Sequence, residues 1–442
     1  MERVLQTFRI SSVRALQLYN LQRFAASLLI GVFLAKNGVS KGEISIYEAL
    51  LFLGNLLSFF WIGGGQNALL SLFPKWGLQE QKSLIGQVFY LFLLLSILAA
   101  GILWLSQDFI LHRLTKFDSL PYLHWLCWYL IFNIPTYLVQ IILLLRERYQ
   151  MIIRYSTTIH ISQLVAVIFP IWLGWGLEWS FILLLIWAVL KFSYLLSLLG
   201  KFGSFQLQLH LWGPYIAVAT PLLLHLLIGN SVEYIDGLIV TSYFPDAGTF
   251  AVFRYGAREL PLTTLLVGAV VTAMIPVASS SLEQGMQDIR SKTLRLSHWL
   301  FPISAGLMLF SPWLFTMVYT MEFQDSAIVF NWYLLILGTR ILLPQVLLIA
   351  KGHNYFLVIS AIIETVVNVG LSLWWVRSYG LGGIAAASVV ANLINKLNMI
   401  LYCRWRWGIR PGQYISLPWY FSYLALLIAA YIISDQWWNL AS

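Results

Sequence analysis

The chain has 442 residues, of which 60% are hydrophobic and 10% charged, with a mean hydropathy of +0.78. A soluble domain carries about 25% charged residues and needs polar surface to cover its core. These values exclude a soluble enzyme, a disordered chain and a disulfide-stapled secreted domain, and the net charge of +9 reads as the Lys/Arg excess of cytoplasmic loops, not as a nucleic-acid surface.

Residues 1–14 come first, with Arg3, Arg9 and Arg14 among scattered apolar residues. They have no uninterrupted apolar core followed by a cleavage site, so they read as an amphipathic segment on the cytoplasmic face and not as a signal peptide. Thirteen apolar segments follow, at about 15–36, 46–72, 83–106, 121–146, 150–175, 178–199, 213–240, 246–278, 294–320, 325–350, 354–376, 381–404 and 417–434. In lipid such runs must be helices or closed barrels, and these are too long and continuous for barrel strands. The expected fold class is an all-α polytopic membrane protein with about thirteen transmembrane helices. A more polar stretch at 200–212 separates an expected N-lobe (15–200) from a C-lobe (213–406), and 417–434 is an additional C-terminal helix.

The charges orient this arrangement. With the N-terminus inside, sixteen Lys and Arg fall in cytoplasmic segments, and five (Lys36, Lys41, Arg113, Lys116 and Arg377) fall outside. That bias predicts a cytoplasmic N-terminus. Cys127 and Cys403 sit in apolar runs and suit buried thiols. There is no P-loop, and the seven histidines show no metal-ligand spacing.

The chain also repeats itself. Gly42 precedes Tyr47 as Gly248 precedes Phe253, each a turn glycine five residues before an aromatic. Gly176-Leu177 opens the sixth segment and Gly380-Leu381 the twelfth. Lys191 and Lys396 follow these glycines at nearly equal distance, and Pro74 and Pro276 keep nearly the same offset. Six spans separate the copies, so both have one orientation. This predicts two six-helix lobes related by a pseudo-two-fold axis along the membrane normal, with a central cavity.

Six cations fall inside the spans: Arg23, Lys191, Arg254, Arg258, Arg340 and Lys396. The acids at similar depth are Glu233, Asp236, Glu259 and Glu364. A charge at mid-helix costs about 2.5–3.5 kcal/mol in lipid, so such residues face a partner or a wet cavity. Snorkelling is the bland account of Arg23, Lys191 and Lys396. Structural ion pairs are the bland account of the Arg254/Arg258 and Glu233/Asp236 helices, and of Arg340 with Glu364. Pro344 removes the hydrogen bond to the Arg340 carbonyl and Pro261 that to the Ala257 carbonyl, beside Arg258, which suits either backbone that lines a cavity or a simple kink. Arginine's planar fork fits phosphate oxygens in pairs, so an excess of cations suits an anionic headgroup. The tryptophans read chiefly as interfacial belts, although Trp125, Trp128, Trp172 and Trp175 could stack on sugar rings.

The stretch from Phe33 through Lys36 and Gly42 to Tyr47, the run Tyr234-Ile235-Asp236-Gly237-Leu238 and the segment Asp246 to Tyr255 resemble Wzx-type polysaccharide-biosynthesis flippases. These are members of the multidrug/oligosaccharidyl-lipid/polysaccharide exporter superfamily. The resemblance implies two six-helix lobes around a cavity, alternating access, and transport of an undecaprenyl-pyrophosphate-linked oligosaccharide from the cytoplasmic to the periplasmic leaflet of the bacterial inner membrane. It implies that the cavity cations hold the pyrophosphate, with Glu233, Asp236, Glu259 and Glu364 as gating or ion-pair partners. It also implies no cofactor, no catalysis and no nucleic acid; the partners are the lipid-linked oligosaccharide and membrane lipids, with a polysaccharide polymerase or glycosyltransferase alongside. Two other readings stay open: a cation-coupled multidrug exporter of the same superfamily, and a membrane glycan polymerase or ligase.

Overall fold

The computed structural model describes residues 12–110, 115, 119–229, 231–246, 248–258 and 261–441. The segment before Ser12, the outer-loop cations Arg113 and Lys116, and Glu259 lie outside the described residues, as does the side chain of Glu233. The chain divides into two compact units, one of residues 1–227 with 245–248, the other of residues 228–244 with 249–442. Helix is the regular secondary structure of the described residues in both.

The first unit begins with α1 (Ser12–Lys36), α2 (Lys41–Leu56) and α3 (Phe59–Leu72). Ser40 starts α2 with a capping box. Its hydroxyl accepts the Glu43 N–H at 3.2 Å, and the Glu43 carboxylate accepts the Ser40 N–H at 3.1 Å. This satisfies two of the backbone donors left open at any helix start. Then come α4 (Leu78–Leu105), α5 (Leu123–Asn133), α6 (Leu138–Leu145), α7 (Tyr149–Trp172), α8 (Leu177–Phe202) and α9 (Trp212–Gly229). Pro135 falls in the 3-10 turn Ile134–Tyr137 that joins α5 to α6. Without a backbone N–H, proline interrupts the regular ladder there. The core of the unit is the packing of α1 on α7, α8 on α5 and α7, and α4 on α5.

The second unit contains α10 (Ser231–Tyr243), α11 (Gly248–Gly256), α12 (Pro261–Ser280) and α13 (Leu282–Val318). After these come α14 (Ser326–Leu335), α15 (Leu337–Arg340) and α16 (Pro344–Ala350), then α17 (Asn354–Trp407) and α18 (Leu417–Ala441). Here α13 packs on α12 and α18, and α17 packs on α10, α14 and α16.

Nine described helices are long and apolar enough to cross a membrane, and two bent pairs bring the number to eleven: α2 with α3 at 45°, and α14–α15 with α16 at 44°. The 54 residues of α17 would span about 80 Å as one straight rod, against roughly 30 Å of hydrocarbon. It is not one rod. Gly380 has φ 56° and ψ −135°, a conformation open to glycine alone, and there the helix turns back on itself. The eleventh and twelfth expected segments are its two arms. Gly176, the matching glycine of the first repeat, also has a positive φ of 88°. The eighth expected segment, 246–278, is divided between α11 and α12. The described residues of the thirteen expected segments lie mostly on helix.

Candidate functional site

In the first unit the intramembrane cations gather on α1 and α8. Lys191 is buried, 8% exposed, with its Nζ bonded to the Asn133 side-chain carbonyl and lying 3.3 Å from the centre of the Trp187 ring. Trp187 and Lys191 are four residues apart on α8 and share a face. The indole N–H donates to the Ile159 carbonyl at 3.1 Å and the Ser162 hydroxyl at 2.8 Å, which fixes the ring under the ammonium. Arg23 is exposed on α1. His160 on α7 lies within electrostatic reach of both Arg23 and Lys191, and pairs with the Ser156 carbonyl at 2.8 Å. Its ring meets Tyr19 edge-on at 5.4 Å.

The second unit holds a polar seam between the arms of α17. Ser360, Glu364 and Asn368 recur every four residues and share one helix face. They meet Asn395, Asn392 and Ser388 of the returning arm. Ser360 donates to the Asn395 side-chain oxygen at 2.6 Å, Asn392 donates to Glu364 Oε1 at 2.8 Å, and Asn368 donates to the Ser388 hydroxyl at 2.9 Å. Asn395 donates to the other oxygen of Glu364, so each carboxylate oxygen has an amide donor. Between membrane helices such bonds act as glue, because no water is present to replace them.

Lys396 stands next to this seam and donates to the Gln345 side-chain oxygen at 3.1 Å. Arg340 and Lys396 are both within electrostatic reach of Glu364, and of each other. Arg340 ends α15, immediately before the break that Pro344 closes. Its side chain lines a recess with Thr263, Ser304, Phe330 and Tyr333. Tyr333 connects that recess to Asp236, donating its hydroxyl to the carboxylate at 2.9 Å. Asp236 is fully buried on α10, and Asn368 (3.1 Å) and the Ser388 hydroxyl also donate to it. Three spans thus converge on one carboxylate.

Arg254 on α11 is half-buried, and the Arg258 guanidinium lies 4.6 Å from the centre of the Tyr255 ring. Among the described residues, no three His, Cys, Asp or Glu side chains converge as metal ligands. Of the tryptophans proposed for sugar stacking, Trp128, Trp172 and Trp175 are more than half exposed, and Trp125 donates its N–H to Glu178 at 3.2 Å.

Reading formal charge along the chain found the cations and acids. It missed their neutral partners Asn133, Gln345, Asn368, Asn392 and Asn395. A signal was available: an amide inside an apolar span must find a partner, as a charge must.

No functionally curated sequence matches the chain. Solved structures with the same fold include the inward closed conformation of the lipid II flippase MurJ, at 16% identity and a TM-score of 0.69, covering 96% of this chain and 100% of that one. An inward-facing multidrug resistance MATE family transporter of the MOP superfamily matches at 13% identity and TM-score 0.62, over 87% and 94% of the two chains. A MOP superfamily transporter from Pyrococcus furiosus, described as having a binding pocket of reverse polarity, matches at 14% identity and TM-score 0.59, over 90% and 96%. The family model described as "Polysaccharide biosynthesis protein" matches residues 72–328, more than half of the chain. The chain belongs to that polysaccharide biosynthesis protein family and has the all-α membrane fold of the MOP superfamily transporters.

Proposed function

We propose that this chain is a flippase. It moves an undecaprenyl-pyrophosphate-linked oligosaccharide from the cytoplasmic to the periplasmic leaflet of the inner membrane, by alternating access, for surface polysaccharide synthesis. The observation that carries the reading is the grouping of Arg340 and Lys396 around Glu364, whose two oxygens are already held by Asn392 and Asn395. Both cations stand beside a helix break, Arg340 just before it and Lys396 bonded to Gln345 just after it. They bind the anionic headgroup, and the prenyl tail stays in lipid. Arg23 and Lys191 do the same in the first unit. Arg254 and Arg258 receive the headgroup later in the cycle, with Asp236 and Glu233 as their gating partners. Family membership and the likeness to a lipid II flippase agree with this substrate class.

Arg340→Gln keeps the side chain polar and removes its charge. It should abolish surface polysaccharide in cells that retain normal amounts of the protein in the membrane, because a half-buried cation paired with an anion out of bulk water contributes about 2 kcal/mol or more to holding it. Normal surface polysaccharide in that variant overturns the assignment of Arg340. One observation favours a cation-coupled drug exporter instead: the fold likeness to MATE transporters, together with two carboxylates, Asp236 and Glu364, inside the second unit. Deleting the gene separates the two readings. Loss of surface glycan with unchanged drug susceptibility supports the flippase, and the opposite pattern supports the exporter.

A further inference from the structure

Each repeat sets a lysine ammonium against a side-chain amide. Lys191, on the sixth span of the first repeat, bonds to Asn133, and Lys396, on the sixth span of the second, bonds to Gln345. Both amides lie where the fourth span of their repeat is broken. Asn133 ends α5 just before the turn that contains Pro135, and Gln345 follows Pro344 at the start of α16. We infer that Asn133 and Gln345 are positioning residues. Each holds one ammonium in place for the oxygens of a phosphorylated headgroup, so that each unit carries its own phosphoryl seat. This rests on the flippase reading.

The choice of an amide is what matters. An ammonium has three N–H donors. A carboxylate at 133 or 345 would neutralise the lysine and bind it permanently in a medium of low dielectric. An amide oxygen satisfies one donor, restrains a flexible four-carbon stem, and leaves the charge intact. Among the described residues, Gln345 is the hydrogen-bond partner of Lys396, and Asn133 and the Trp187 ring are the partners of Lys191. The acid nearest in chemistry to Lys396, Glu364, has both oxygens occupied by asparagine amides. Donors therefore remain on each lysine for an anion. The two spans that meet at each seat are the fourth and the sixth of the repeat, so a bound phosphate would join a broken helix to a continuous one.

The test uses the full chain purified in detergent, titrated calorimetrically with inorganic pyrophosphate and with farnesyl pyrophosphate, and with farnesol as the uncharged control. The wild type should bind both pyrophosphates, the prenyl one more tightly, and not farnesol. Asn133→Asp and Gln345→Glu keep the size of the side chain and add one negative charge. Each should weaken pyrophosphate binding at the seat of its own unit about tenfold or more and flatten the salt dependence of that affinity. Lys396→Arg should retain both seats, and Lys396→Met should lose the seat of its own unit, halving the calorimetric stoichiometry. If Asn133→Asp does not fold, Gln345→Glu tests the same claim in the other unit. Pyrophosphate binding in both carboxylate variants equal to that of the wild type overturns the seats and leaves the flippase reading standing. A wild type that binds inorganic pyrophosphate but no better with a prenyl chain attached supports the seats and counts against a lipid-linked substrate. A wild type that binds neither overturns both.

Discussion

Asp236 shows what a buried charge requires in this molecule. Tyr333 and Ser388 donate to one carboxylate oxygen and Asn368 to the other. Asp236→Asn replaces an acceptor oxygen with an N–H₂ group that faces donors. It should lower stability by about 1–3 kcal/mol, the cost of leaving a buried polar group unsatisfied. The melting temperature of the purified protein reads this directly, and an unchanged value would mean that the three donors do not depend on the charge. The same residue marks the limit of legibility. Asp236 was visible in the sequence as an acid at intramembrane depth, and so were Arg340 and Lys396. Their surroundings were not visible. Ser388 and Asn368 are 152 and 132 residues away from Asp236 in the chain, and nothing in local spacing pairs them. Formal charge can be read from composition, whereas hydrogen-bond partners depend on tertiary packing.

At the scale of the element, the glycine pair carried the most information. Gly176 and Gly380 were matched by spacing alone, and both adopt backbone angles that other residues avoid. Gly380→Ala should cost about 1–3 kcal/mol, because at φ 56° and ψ −135° a side chain is forced against the backbone. Gly370→Ala, on the same helix with open space around it and ordinary helical angles, should be neutral or stabilising by up to about 1 kcal/mol. Comparing the thermal stability of the two variants checks the turn, and equal effects would remove the special role of Gly380. The broken spans were only partly legible. Pro344 pointed to an interruption, but a proline alone does not say whether a helix merely kinks or stops and restarts. Asn133 and Gln345 gain their meaning only from that second outcome.

For the whole molecule, composition and length were enough to reach the fold class, since few architectures satisfy backbone polar groups in lipid. The distribution of Lys and Arg goes further and predicts sidedness. With both native cysteines replaced by serine, Lys351→Cys should resist a membrane-impermeant thiol reagent added to intact spheroplasts, and Arg377→Cys should react with it. The reverse labelling pattern would invert the orientation. The substrate is less legible at this scale, because the same fold serves a lipid II flippase and multidrug transporters. Only individual side chains separate those chemistries. The hairpin of α17 adds one mechanical consequence. Its arms are spliced by a single residue and zipped by three side-chain rungs, so neither can tilt without carrying the other. Glu364, Asn392 and Lys396 therefore travel as one piece, and a change of state has to be made where that piece meets Gln345 and Arg340 on the interrupted span beside it.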